Sequence, residues 1–365
     1  MKAAAAWAVR YWAVVVPVIG VVLLVAEWNV TLGPVLVTLT AIVLAGTVLA
    51  AVQHAEVVAH KVGEPFGSLV LAVAVTVIEV ALIVTLMTSG KDTPTLARDT
   101  VFSAVMITMN GIVGLSILLG ASRRTTTRFN AEGTGAALAT VTALATLTLV
   151  LPTFTATPGP QFSPAQLVFA AIASVALYAM FVFTQTVAHR DFFMPVRTNG
   201  NPVADEDAHA EAPSTRQTYT SLGLLVVALV AVVGLAKLES HPIEVGVAAI
   251  GFPKTFVGVV IALLVLLPEG IAAAKAASRN RMQTSLNLAL GSAMASIGLT
   301  IPAIALASIW LTGPLLLGLG ASQIVLFVLT VIVSVLTVVP GRAARLQGGV
   351  HLVLFAAFIF LSIVP

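Results

Sequence analysis

The run Phe256-Val-Gly-Val-Val-Ile-Ala-Leu-Leu-Val-Leu-Leu-Pro-Glu-Gly-Ile-Ala-Ala-Ala decides how the rest of the chain is read. It is apolar over the length needed to cross a bilayer, about 20 residues for a hydrocarbon core of roughly 30 Å. Its one charge is Glu269, deep in the run. A second run, Pro65-Phe-Gly-Ser-Leu-Val-Leu-Ala-Val-Ala-Val-Thr-Val-Ile-Glu-Val-Ala-Leu-Ile, places Glu79 in the same way. A carboxylate at bilayer depth costs about 2.5–3.5 kcal/mol even on the most lenient scale, so such residues face a cavity or a partner. Two of them, one in each half of the chain, point to a shared cation or proton site.

The whole composition agrees with a membrane setting. Of 365 residues, 59% are hydrophobic and 9% charged, and the mean hydropathy is +1.06. A soluble domain carries about 25% charged residues, so this chain lacks the polar surface to coat a globule. The absence of cysteine excludes disulfides, thiolate metal ligands and cysteine nucleophiles. A net charge of +3 gives no reason to expect a nucleic-acid partner. The expected surroundings are lipid, the expected partners small cations and protons, and no cofactor is called for. The oligomeric state is left open between monomer and homo-oligomer. The basic, apolar N-terminus has no small-residue cleavage site before Glu27-Trp28, which predicts a retained first helix.

Apolar length predicts eleven spans, near 11–27, 31–53, 65–89, 99–121, 134–152, 164–187, 218–238, 254–277, 285–309, 319–339 and 348–364. The fold class is therefore an all-α polytopic membrane protein. With the N-terminus inside, fourteen of the eighteen lysines and arginines fall in cytoplasmic segments. Lys91, Arg98, Lys237 and Lys254 fall outside. That asymmetry sets the N-terminus in the cytoplasm and the C-terminus outside. One long polar stretch, carrying Asp205-Glu-Asp and His209, reads as an acidic cytoplasmic linker over 189–217. It parts the chain into an extra N-terminal helix (1–28), a first five-helix repeat (29–188) and a second (218–365). A five-span unit repeated in tandem inserts upside down the second time, the layout in which secondary transporters place an ion site near the midplane. Glu79 and Glu269 each fall on the second helix of their repeat.

The surroundings of the two acids suggest ligands. Pro268 withholds a backbone donor from the preceding turn, which leaves carbonyls near Leu264 and Val265 free to face a cation. Thr76 lies three residues before Glu79, on the same helical face. The helices that follow offer Ser103 and Asn110 in the first half and Ser292 and Ser296 in the second. Glu64, near Gly63 and Gly67, lies near the cytoplasmic end of its helix and reads as solvated, with an ion entrance as the alternative. Hard oxygen donors suit calcium, sodium or protons. The histidines form no metal set: His54 and His60 read as lying at the cytoplasmic end of the second span, His189 and His209 in the linker, His241 outside and His351 at the start of the last helix. His54 and His60 are candidates for pH sensing. Burial favours the neutral acid and a bound cation favours the ionised one, so protons and cations compete for Glu79 and Glu269.

The stretches His60-Lys-Val-Gly-Glu-Pro-Phe-Gly-Ser-Leu, Val77-Ile-Glu-Val, Pro94-Thr-Leu-Ala-Arg-Asp-Thr, Pro268-Glu-Gly and Asn287 through Pro302 resemble the cation/proton exchanger family of the calcium:cation antiporter superfamily, nearest its bacterial ChaA-type sodium/calcium:proton antiporters. The resemblance implies a sodium/calcium exchanger-like fold in a bacterial inner membrane. It implies that Glu79 and Glu269 are the paired acidic ligands of the two repeats, and that cations leave the cytoplasm as protons enter. Where the wider family has Gly-Asn-Ala-Thr-Glu, this chain has Val75-Thr-Val-Ile-Glu79. It also has Leu266-Leu-Pro-Glu269-Gly without an amide, and Ala295 where relatives have Gln. Fewer amide oxygens leave room for sodium or potassium beside calcium. The expected activity is Ca2+/H+ antiport by alternating access, with Na+/K+:proton antiport and an uncoupled cation channel as alternatives. An intramembrane enzyme is disfavoured, because no zinc motif and no nucleophile–base pair is present.

Overall fold

Several helix starts in this chain are fixed by local chemistry. Ser163 and Ser214 each accept a hydrogen bond from a glutamine backbone N–H three residues on, while the glutamine side chain returns to the serine N–H. Asn130 accepts from the N–H groups of Glu132 and Gly133. Each cap satisfies donors that a helix N-terminus leaves over. The computed structural model describes residues 2–28, 30, 33–63, 66–89, 94–122, 125–194, 213–311 and 313–365. Glu64, the Asp205-Glu-Asp run and His209 lie outside these residues.

In chain order the helices are α1 (Lys2–Glu27), α2 (Pro34–Val62), α3 (Phe66–Ser89), α4 (Leu96–Gly120), α5 (Ala131–Phe154), α6 (Pro164–Ala188), α7 (Thr215–Ala249), α8 (Phe256–Ser278), α9 (Met282–Ala307), α10 (Ala321–Val338) and α11 (Arg345–Ile363). Among the described residues, ten are long and apolar enough to cross a membrane, α3 by its portion Val70–Thr88, and the apolar part of α1, Tyr11–Glu27, is a shorter apolar helix beside them. The eleven apolar helices agree with the expected spans, but several boundaries do not: the first was expected to start at 11 and α1 begins at Lys2, and the second was expected to end at 53 and α2 continues to Val62. The seventh span was expected to end at 238, whereas α7 continues to Ala249, 35 residues in all. The polar letters around Lys237 read as a loop, but Glu239 and Ser240 are buried and the helix runs on through Pro242.

The chain divides into two compact units, Met1–Thr93 with His209–Lys254, and Pro94–Ala208 with Thr255–Pro365. In the first, α1, α2, α3 and α7 pack together. Small residues set the spacing of α1 on α7: Gly20 lies against Ala231 and Leu235, and Leu24 against Gly234. Such residues let helix backbones approach closely where no water drives association.

In the second unit α4 is central. It is the most buried of the spans, with α9 next. These are the helices that follow the two carboxylate helices. Each contains a π-helical segment, Ile107–Ile112 in α4 and Ser296–Thr300 in α9, and such segments are frequent at functional positions. Two three-residue strands, β1 (Thr126–Arg128) and β2 (Arg342–Ala344), pair antiparallel with Thr127 opposite Ala343. Arg345 then donates through Nε to the carbonyl of Ala121 at 3.0 Å and also bonds the carbonyl of Ser122. The segment before α10 is held by backbone bonds from Leu316 to Pro94, Gly318 to Pro160 and Leu319 to Leu149.

Candidate cation-binding site

Glu79 belongs to the first unit and Glu269 to the second. Glu79 is 3% exposed and Thr76, one turn earlier on α3, is also buried. Both were expected to occupy one helical face, and their shared burial is what that spacing requires. Glu269 sits half-buried within α8, which remains one helix through Pro268. Leu264, four residues before the proline, therefore has a carbonyl without its usual backbone donor.

Within the second unit, α8 packs against α4 and α9. A Cβ on Gly258 would stand 2.8 Å from the Asp99 carbonyl carbon and the Thr100 nitrogen, so α8 begins in backbone contact with α4. Further along, Gly270 faces Ile112, with the nearest side-chain carbon 3.7 Å from a built Cβ. The residue after Glu269 thus lies against the π-helical segment of α4. That segment carries Asn110, which is fully buried. Its amide nitrogen donates to Thr330 Oγ1 at 2.9 Å, and its oxygen is 3.1 Å from His351 Nδ1. His351 Nε2 lies 3.2 Å from Thr337 Oγ1. A chain of polar groups from α10 and α11 therefore holds the Asn110 amide.

The serines divide. Ser103 is buried and its hydroxyl bonds the Asp99 carbonyl of its own helix, the back-bonding common for such residues. Ser292 is half-buried on α9 and Ser296 is buried at the start of the π-helical segment. The histidines are also dispersed. His54 is buried, with Nε2 2.9 Å from the carbonyl of Ala13, and His351 lies two turns into α11 rather than at its start. No group of three or more metal-ligating side chains occurs among the described residues.

Two clusters carry signals that sequence reasoning passed over. Asp99 is buried beside Arg98 with an ion pair of 2.7 Å, and Thr95 donates to its other oxygen at 2.8 Å. Arg98 also donates to the Gly318 carbonyl at 3.1 Å. The pair borders a cavity of about 220 Å³ with Ser103, Thr255 and Gln323. The four-residue spacing of Thr95 and Asp99 in a helix start was the available clue. The second cluster, Glu27 and Glu239, is taken up below.

A model of the family described as sodium/calcium exchanger protein matches residues 32–187 and 220–364. The chain belongs to the sodium/calcium exchanger family. This exchanger is 45% identical over 366 residues to the protein y4hA of Sinorhizobium fredii, covering 98% of this chain and 97% of that one. It is 35% identical over 346 residues to the sodium-potassium/proton antiporter ChaA of Escherichia coli, covering 94% and 93%. Its fold is that of native YfkE, with a TM-score of 0.71 at 17% identity over 97% of this chain and 100% of that one. It is similarly that of the H+/Ca2+ exchanger CAX, with a TM-score of 0.70 at 14% identity over 96% and 88%. The gap between the two matched segments, 188–219, falls on the expected linker.

Proposed function

We propose that this exchanger is a secondary antiporter that moves a hard cation out of the cytoplasm against entering protons, using Glu79 and Glu269 as the competing ligands. The observation that carries the reading is one acid on the second helix of each half, each followed by one of the two most buried spans. Two carboxylates match the charge of one calcium, so one Ca2+ against two protons is the simplest balance. Thr76 and Ser292 add hydroxyl oxygens, and the Leu264 carbonyl adds another. Asn110 contributes through its remaining lone pair, with its amide held by Thr330 and His351.

The name of the E. coli relative, a sodium-potassium/proton antiporter, supports a second reading of the cargo as Na+ or K+. Thr76 in place of an amide favours it. The membrane is a bacterial inner membrane, with the N-terminus cytoplasmic and the C-terminus outside. Proteoliposomes carrying an imposed proton gradient test the proposal. Uptake of Ca2+, Na+ or K+ beyond electrochemical equilibrium is expected. Flux that only follows the membrane potential would make the protein a channel.

A further inference from the structure

The first unit holds two acids that the exchange reaction does not use. Glu27 ends α1 and is 4% exposed; Glu239 lies in α7 and is 1% exposed. The register of α1 on α7 brings them opposite each other. Gly20 meets Ala231 and Leu235, Leu24 meets Gly234, and the Lys237 ammonium stands 5.1 Å from the centre of the Trp28 ring. One oxygen of Glu27 accepts from Thr40 Oγ1 at 2.8 Å. The other oxygen of Glu27, and Oε1 of Glu239, are buried with no hydrogen-bond partner among the described residues.

A buried carboxylate oxygen without a partner costs several kcal/mol unless a proton or a cation meets it. The neighbouring elements do not supply the compensation. Lys237 is engaged with the Trp28 ring, and among the described residues no ion pair reaches either acid. On α7 the other titratable groups nearby are His241 and Glu244. On α3 there is Glu79 alone, and on α2 the group begins at His54, about 20 Å along the helix from Thr40. Pro242 withholds the N–H that would reach the carbonyl of Leu238, the residue before Glu239. Carboxylate, hydroxyl and carbonyl oxygens together form a hard donor set.

We propose that Glu27, Glu239 and Thr40 form a second hard-cation site, distinct from the Glu79 and Glu269 pair, where a metal cation such as Ca2+ or Na+ replaces a shared proton. The site goes beyond the exchange reading and does not depend on it.

The test uses the full-length protein in detergent with Glu79→Gln and Glu269→Gln both present, so that the transport pair cannot contribute. Thermal unfolding is followed with CaCl2, NaCl and KCl, each against choline chloride at equal ionic strength, at mildly acid and at alkaline pH. We expect a metal chloride to raise the melting temperature, more strongly at alkaline pH. Adding Glu27→Gln or Glu239→Gln should abolish that rise. Thr40→Val keeps both acids and should shift the half-effective cation concentration upward by about threefold to tenfold, which covers the case in which the glutamine variants do not fold. CaCl2 and NaCl arms distinguish the two cations. An unchanged rise in the Glu239→Gln variant, or in the Thr40→Val variant, would overturn the proposal. So would the absence of any metal-specific rise, the result expected of a pair that holds only a proton. Retained transport in the doubly substituted parent would count against the exchange mechanism alone.

Discussion

At the scale of single residues, the proposed exchange rests on the acids in the apolar spans. Glu79→Gln and Glu269→Gln keep the shape and remove the titrating group, so each should lower exchange by at least about a hundredfold with unchanged yield of folded protein. Proton-coupled flux in vesicles measures this. Thr76→Val should weaken cation affinity about threefold to tenfold, equivalent to about 0.7–1.4 kcal/mol, without stopping turnover. His351→Ala should act differently. It strips the Asn110 amide and Thr337 of a buried partner, at a cost of about 1–3 kcal/mol, read as a lower melting temperature. Glu79 and Glu269 were legible in the sequence because a charge inside an apolar run has so few explanations. Glu239 was not, because Lys237, Ser240 and His241 beside it looked like the end of a span. Asn110 was legible as a buried amide, but its partners on α10 and α11 lie more than 200 residues away and leave no trace in local spacing.

Elements tell a second story, about contact rather than chemistry. α8 meets α4 where Gly258 allows the backbones together, with Asp99 and Thr100 behind it. Gly258→Val would press a branched side chain against main chain that cannot yield. It should cost about 1–3 kcal/mol and reduce transport through the displaced α8, seen as lower thermal stability together with lower flux. Helix number was legible because a membrane demands length and apolarity and little else. The π-helical segments in α4 and α9 were not, since one extra residue in a turn barely disturbs an all-apolar pattern. Strands β1 and β2 were equally hidden: three residues are too few to show alternation.

For the molecule as a whole, the absence of cysteine makes its orientation measurable. Single cysteines placed at Ala249 and at Asn280 should react with a membrane-impermeant thiol reagent on opposite sides, Ala249 from outside and Asn280 only after the membrane is opened. The same side for both would refute the expected topology. Proton competition has a sign that can be checked in the same vesicles. As pH falls the acids bind protons, so the apparent half-saturation for the transported cation should rise, by up to about tenfold per displaced proton for each pH unit.

The pairing of Thr126–Arg128 with Arg342–Ala344 also has a consequence for how the chain is made. The second unit is interrupted in sequence by the part of the first that runs from His209 to Lys254. A ribosome therefore finishes the first unit while α4, α5 and α6 still await α8 through α11. During that interval the polar edge of β1 and the carbonyls destined for Arg345 have nothing to bind. Nascent chains stalled just past Lys254 should accordingly be protease-sensitive in their middle third and protected at both flanks, a pattern that disappears once translation passes Arg345.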